Sequence, residues 1–117
     1  MNTLGEHGEE SARLFLEKKG FRHLESNFFT RWGEIDLIME DGATLVFVEV
    51  KHRRSGGFGS GEESVTPSKM KHMERVAMMY VQQRRIFEKA LRFDVVAIGP
   101  EGLNHYENAF MASGNYY

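Results

Sequence analysis

The chain has 117 residues, 41% of them hydrophobic and 27% charged, with no cysteine and a formal net charge of −2. That length suits a single domain built on one core. The missing thiols exclude a disulfide framework, a thiolate metal site and a cysteine nucleophile, and no apolar stretch approaches the ~20 residues of a membrane span. The acidic opening MNTLGEHGEE has no apolar signal-peptide segment, so a cytoplasmic location with no membrane partner is expected.

Residues 5–19 carry the periodicity of an amphipathic helix, stopped by Gly20. Ala12, Phe15 and Leu16 form its apolar face, and Glu9 falls within a small arc of Leu16 while Glu10 and Glu17 lie on the wet side. Glu9 is therefore the acid that looks inward. The plainer reading is an acid favoured by the positive end of the helix dipole. Residues 21–29 read as a first strand, interrupted by Glu25, Ser26 and Asn27.

Residues 33–51, GEIDLIMEDGATLVFVEVK, read as a hairpin. Ile35, Leu37 and Met39 alternate with Asp36 and Ile38, Asp41-Gly42 supplies a tight turn, and Leu45 to Val50 is an apolar run suited to the middle of a covered sheet. Strand alternation puts Glu34, Asp36 and Ile38 on one face, and Leu45, Phe47, Glu49 and Lys51 on one face of the next strand. With a two-residue turn Asp36 stands opposite Phe47 and diagonal to Glu49; with four residues unpaired it stands opposite Glu49. Neighbouring strands are about 4.8 Å apart, so the two carboxylates can share one ion. Facing like charges destabilise a sheet unless something compensates. Oxygen-only ligands favour a hard cation, Mg²⁺ or Mn²⁺, held by one or two carboxylates with water and substrate phosphate. Lys51 points to the same side as Glu49, where it neutralises charge or orients a water.

Arg53 to Ser64 is a glycine-rich loop whose spacing fits neither the dinucleotide-binding nor the P-loop pattern, and it reads as a linker or a substrate-contacting flap. Thr66 and Pro67 are placed to cap and start a long helix. Its apolar stripe is Met70, Met73, Val76, Ala77, Tyr80 and Val81. Lys69 shares that side at the helix start and either reaches towards the hairpin or snorkels into solvent. Residues 92–99 form another strand, in which Asp94 is better suited to a salt bridge or a turn cap than to a metal, and residues 103–110 form a last one. The order α-β-β-β-α-β-β gives an α/β or α+β domain with a mixed sheet over residues 1–117. Residues 51–92 hold ten Lys and Arg against four Glu, leaving the remainder at −8. A basic half beyond a carboxylate cluster suits a phosphate backbone lying across a metal site, although a solvated helix face is the commoner meaning of such a run.

Asp36, a gap of twelve residues, and then Glu49-Val50-Lys51 follow the spacing of the PD-(D/E)XK nucleases, with Ile35 in place of the proline. Glu9-Glu10-Ser11-Ala12, the GEIDLI and FVEVK blocks, Ser64 to Lys69 and Arg92 to Val96 together resemble the successive signatures of the YraN-type family, a bacterial group of endonuclease-like proteins, over nearly the whole chain. That family is similar to archaeal Holliday junction resolvases. The resemblance implies a restriction-endonuclease-like α/β fold, a mixed central sheet flanked by helices. It departs from the family in the glycine-rich loop after Arg54 and at His52, where a small polar residue is commoner.

The resemblance further implies a Mg²⁺- or Mn²⁺-dependent endonuclease acting on DNA, RNA not being excluded, with branched or repair intermediates as substrates. Asp36, Glu49 and the main-chain carbonyl of Val50 would hold the ion, and Glu9 would complete its shell or a second position. Lys51 would orient the attacking water, Lys69 would contact the scissile phosphate, and Arg53 and Arg54 would grip the backbone. By analogy with resolvases, a twofold homodimer is open to such a chain. The alternative is a nucleic-acid-binding module that keeps the fold without cleaving, and a third reading is an adaptor docking through Phe110, Tyr116 and Tyr117. A zinc hydrolase is disfavoured, because the five histidines show neither H-x-x-x-H nor H-E-x-x-H pairing.

Overall fold

The computed structural model describes residues 3–53 and 65–110, with side chains from residue 8 onward. The elements are α1 (Thr3–Lys18), β1 (Arg22–Thr30), β2 (Gly33–Asp41), β3 (Thr44–His52), α2 (Pro67–Arg84), β4 (Ala90–Gly99) and β5 (Gly102–Phe110), in the expected order. The strands lie in the sheet in sequence order. Every neighbouring pair is antiparallel except β3 and β4, which are parallel and joined through α2. This is a mixed five-stranded α/β sheet with a helix on each face, as a restriction-endonuclease-like domain requires.

The central strand explains the layering. Leu45 and Phe47 of β3 pack into the core under α2, with Met73, Val76, Ala77, Tyr80 and Val81. Val46, Val48 and Val50 pack into the core under α1, with Ala12 and Leu16. A strand covered on both faces needs an apolar run, and Leu45 to Val50 supplies one, broken only by Glu49. Aromatic rings fill the α2 side: Phe93 stacks on Phe110 at 4.8 Å and lies 5.7 Å from Phe47, and Phe28 meets Tyr80 edge-on at 5.1 Å. Phe110 is therefore 9% exposed and belongs to the core rather than to a docking tail, while Tyr116 and Tyr117 lie outside the described residues.

The helix ends follow local chemistry. Gly20 at φ +100° closes α1, its N–H bonding the Glu17 carbonyl while the Phe21 N–H bonds that of Leu16, the left-handed cap that glycine adopts most readily. Thr66 Oγ1 accepts the N–H of Lys69 at 3.1 Å, and Pro67 follows as the first helical residue of α2. The hairpin turn falls at Gly42-Ala43, since Asp41 pairs with Thr44. It is one residue later than expected for a turn at Asp41-Gly42, and the register, carried one step past Leu37 and Val48 where pairing ends, points position 36 towards position 49. Alternation along β2 also fails at one place. Ile35 sits in the α2-side core with Ile38, whereas Leu37 and Met39 sit under α1. The ladder with β1 skips the Asn27–Asp36 pair, and Asn27 is left-handed at φ 53°, so the strand rotates there instead of keeping its period of two.

Candidate active site

The site lies where β2 and β3 part. Their pairing runs from Asp41 and Thr44 to Leu37 and Val48 and stops there. β2 continues alongside β1 as far as Gly33, and β3 continues alongside β4 as far as His52. The fork exposes backbone groups that a closed ladder would have satisfied, and Asp36 fills one vacancy: its Oδ2 accepts the N–H of Val50 at 2.8 Å. A carboxylate thus stands in for a strand neighbour. Burial, and next the charge of Glu49, push the Asp36 carboxyl up to about 7; the Val50 N–H opposes this, and Glu9 and Glu34 add to the upward push. Four acids from three elements, α1, β2 and β3, therefore share one electrostatic neighbourhood.

Glu49 is 5% exposed on the α2 side of the sheet. Its Oε2 lies 3.3 Å from the Lys51 ammonium and 3.5 Å from that of Lys69. Lys69 is in the first turn of α2, which Thr66 caps. Of the two outcomes open to Lys69, reaching inward prevails. Glu9, on α1, is held by the Asn27 side-chain amide, which donates to its Oε1 at 2.9 Å. Helix periodicity had already turned Glu9 towards the sheet. The role of Asn27 was less legible, its one signal being an asparagine, after glycine among the residues that most often take up left-handed backbone, inside an otherwise strand-like run.

The remaining candidates are placed as follows. Arg53 leaves the end of β3 with its N–H on the Ile98 carbonyl at 2.8 Å and its guanidinium on the Tyr106 hydroxyl at 3.2 Å, towards β5. Arg54 lies outside the described residues. Of the salt bridge or turn cap expected of Asp94, the structure shows the salt bridge, with a further bond to a strand N–H in β5 rather than to a turn. Asp94 is fully buried, pairs with Arg92 at 3.0 Å and His105 at 2.8 Å, and accepts the N–H of Asn108 at 2.9 Å. Burial pushes its carboxyl up, but those hydrogen bonds together hold it below the usual range.

The donor set suits a hard divalent cation. Glu49 pairs with the ammonium groups of Lys51 and Lys69, while Glu49, Glu9 and Glu34 all act on Asp36, so these carboxylates outnumber the two lysines beside them. Among the described residues no three His, Asp or Glu side chains converge closely enough to form a metal cage by themselves. An ion here would rest on Asp36, Glu49 and the Val50 carbonyl, with water and substrate oxygens completing its shell, as Mg²⁺ commonly does.

Comparison with known proteins agrees with the motif pattern. The pattern of the family described as "Uncharacterised protein family UPF0102" matches residues 8–98, which take in every part of the fork. A UPF0102 protein of Syntrophomonas wolfei is 48% identical over 111 residues, covering 92% of this chain and 96% of its own length. One of Persephonella marina is 42% identical over 106 residues, covering 91% of each chain, and one of Vibrio campbellii is 43% identical over 110 residues, covering 91% of this chain and 90% of its own. With one pattern spanning the fold and relatives aligned over nearly their whole lengths, the chain belongs to the UPF0102 family, the YraN-type group that its motifs resemble.

Proposed function

We propose that the chain is a metal-dependent nuclease that hydrolyses phosphodiester bonds in DNA, acting in the cytoplasm on branched or repair intermediates. The observation that supports this most is the fork itself, where a half-buried Asp36 and a buried Glu49 come together from parted strands and two lysines pair with Glu49. Such a concentration of acids destabilises the apo protein, and its use is to hold a cation. Asp36, Glu49 and the Val50 carbonyl would bind Mg²⁺ or Mn²⁺, with Glu9 as a further ligand. When bound, the ion supplies Lewis acidity at a phosphate oxygen and lowers the pKa of water.

The chain's own groups do the rest. Lys51, on the strand that carries Glu49, orients the attacking water and offsets charge developing on phosphorus. Lys69, which pairs with Glu49 here, would contact the scissile phosphate. Arg53 and Arg54 hold the backbone on either side.

The test is cleavage of branched, flapped and linear DNA with Mg²⁺ or Mn²⁺ by wild type, Asp36→Ala and Lys51→Ala. Loss of about 100-fold or more in both variants is expected, in line with removal of a group that stabilises transition-state charge. Equal cleavage by all three proteins would sink the reading. Salt-dependent DNA binding with no metal-dependent turnover would identify a binding module instead.

A further inference from the structure

Beside the fork, the turn between β1 and β2 presents the chain's one tryptophan between two arginines. The Arg75 guanidinium lies 4.3 Å from the Trp32 ring centroid and that of Arg31 lies 5.4 Å away. Among the described residues neither arginine has a carboxylate partner. The crevice under the ring is lined by Gly33, Glu34, Lys69, His72, Met73 and Val76. It shares Lys69 with the Glu49 ion pair and Glu34 with the acids that act on Asp36, so it opens directly onto the fork.

Two guanidinium groups on one indole repel each other, and an exposed cation–π contact is weak compensation. The ring also packs against the α2-side core and cannot turn away from them. An aromatic surface with unneutralised cations beside it matches a nucleotide, which brings a π-face and a phosphate together. A base settling on the indole displaces a guanidinium, which then takes the adjoining phosphate. A paired base inside a duplex has both faces stacked and is closed to this contact.

Building on the nuclease reading, we infer that Trp32, Arg31 and Arg75 form a stacking platform for an unpaired nucleotide next to the cleavage point, so that the substrate is DNA carrying a single-stranded segment rather than continuous duplex. Because Trp32 is the only tryptophan among four tyrosines, fluorescence excited at the red edge, where tyrosine does not absorb, reports on the platform alone. Titrating the protein in EDTA with a short oligothymidine should quench that fluorescence, with affinity about tenfold above that for a duplex of equal length, the scale of base–aromatic stacking.

Arg75 is exposed, so Arg75→Ala should fold normally and weaken oligothymidine binding about fivefold or more while duplex binding stays within about twofold. Trp32→Leu, followed by anisotropy of a labelled oligomer, should lose the same preference, and Trp32→Phe should keep part of it. Absence of quenching, or equal losses on single strand and duplex, overturns the platform. Tighter binding of oligouridine overturns the choice of DNA. Asp36-dependent cleavage without quenching would discard the platform and keep the nuclease; quenching without cleavage under any metal would do the reverse.

Discussion

Asp36 exchanges its proton near neutrality because burial, and next the charge of Glu49, both disfavour its anion. Its folded pKa of about 7 stands above the ordinary 3.8. Between those values the folded chain keeps a proton that the unfolded chain has lost, so stability falls as pH rises towards 7. Asp36→Asn keeps an acceptor for the Val50 N–H and removes the charge. It should flatten that decline and raise stability at pH 8 by on the order of 2 kcal/mol, less than the full shift implies because Glu49 shares the coupling; denaturant melts across pH measure it. A cation must compete with the same proton. Calorimetric titration should therefore show Mn²⁺ affinity rising about tenfold per pH unit below neutrality and levelling above it. The types and spacing of Asp36, Glu49 and Lys51 were legible in the sequence, because strand period and hairpin pairing are local rules. The shifted proton was not, because it depends on how deeply the fork is buried and on Glu9 and Glu34 arriving beside it.

Helix α1 carries Glu9 to the fork, and a close contact sets its position. A Cβ added at Gly8 would lie 2.2 Å from Cε1 of His52, the last residue of β3. Gly8→Ala should therefore force either the exposed His52 ring into another rotamer or the helix start to shift, costing about 1 kcal/mol, the low end for overpacked sites. His52→Ala in the same chain should recover most of that loss, and thermal melts of the two single variants and the double variant close the cycle. Caps were the most legible parts of the elements, Thr66-Pro67 and Gly20 above all, since their chemistry is contained within a few residues. The turn at Gly42-Ala43 and the reversed facing of Ile35 were not, because register and strand rotation answer to the whole sheet and to the left-handed Asn27 opposite Asp36.

Across the whole molecule, the buried Asp94 ties distant parts together. Arg92 pairs with it and also with Asp41 at the end of β2, at 2.9 Å. His105 reaches it from β5, bonds Lys19 at 2.9 Å, and lies edge-on to Phe15 and Phe21. Asp94→Ala would leave the buried His105 imidazole without its acceptor and the half-buried Arg92 guanidinium with Asp41 alone, and should cost about 3–5 kcal/mol, measured by urea denaturation; Asp94→Asn, which retains part of the bonding, should cost less. Asp94 itself was readable as a salt-bridging residue, and strand period two puts Arg92 on its face, but His105 and Asn108 were not readable as partners, because they lie in β5 with no spacing rule to link them.

The same sheet has two open sides, β1 and β5, and each carries an asparagine in left-handed backbone, Asn27 at φ 53° and Asn108 at φ 54°. The register slips in both strands, between His23 and Glu25 on one side and opposite Phe93 to Val95 on the other. A foreign strand seeking to extend the sheet meets a bent template with its hydrogen-bonding groups out of step, the device by which soluble proteins resist amyloid-like stacking. Asn27→Val, which favours regular strand, should speed thioflavin-positive fibril growth on prolonged shaking at neutral pH, so the residue that steadies Glu9 also guards the chain against self-templated polymerisation.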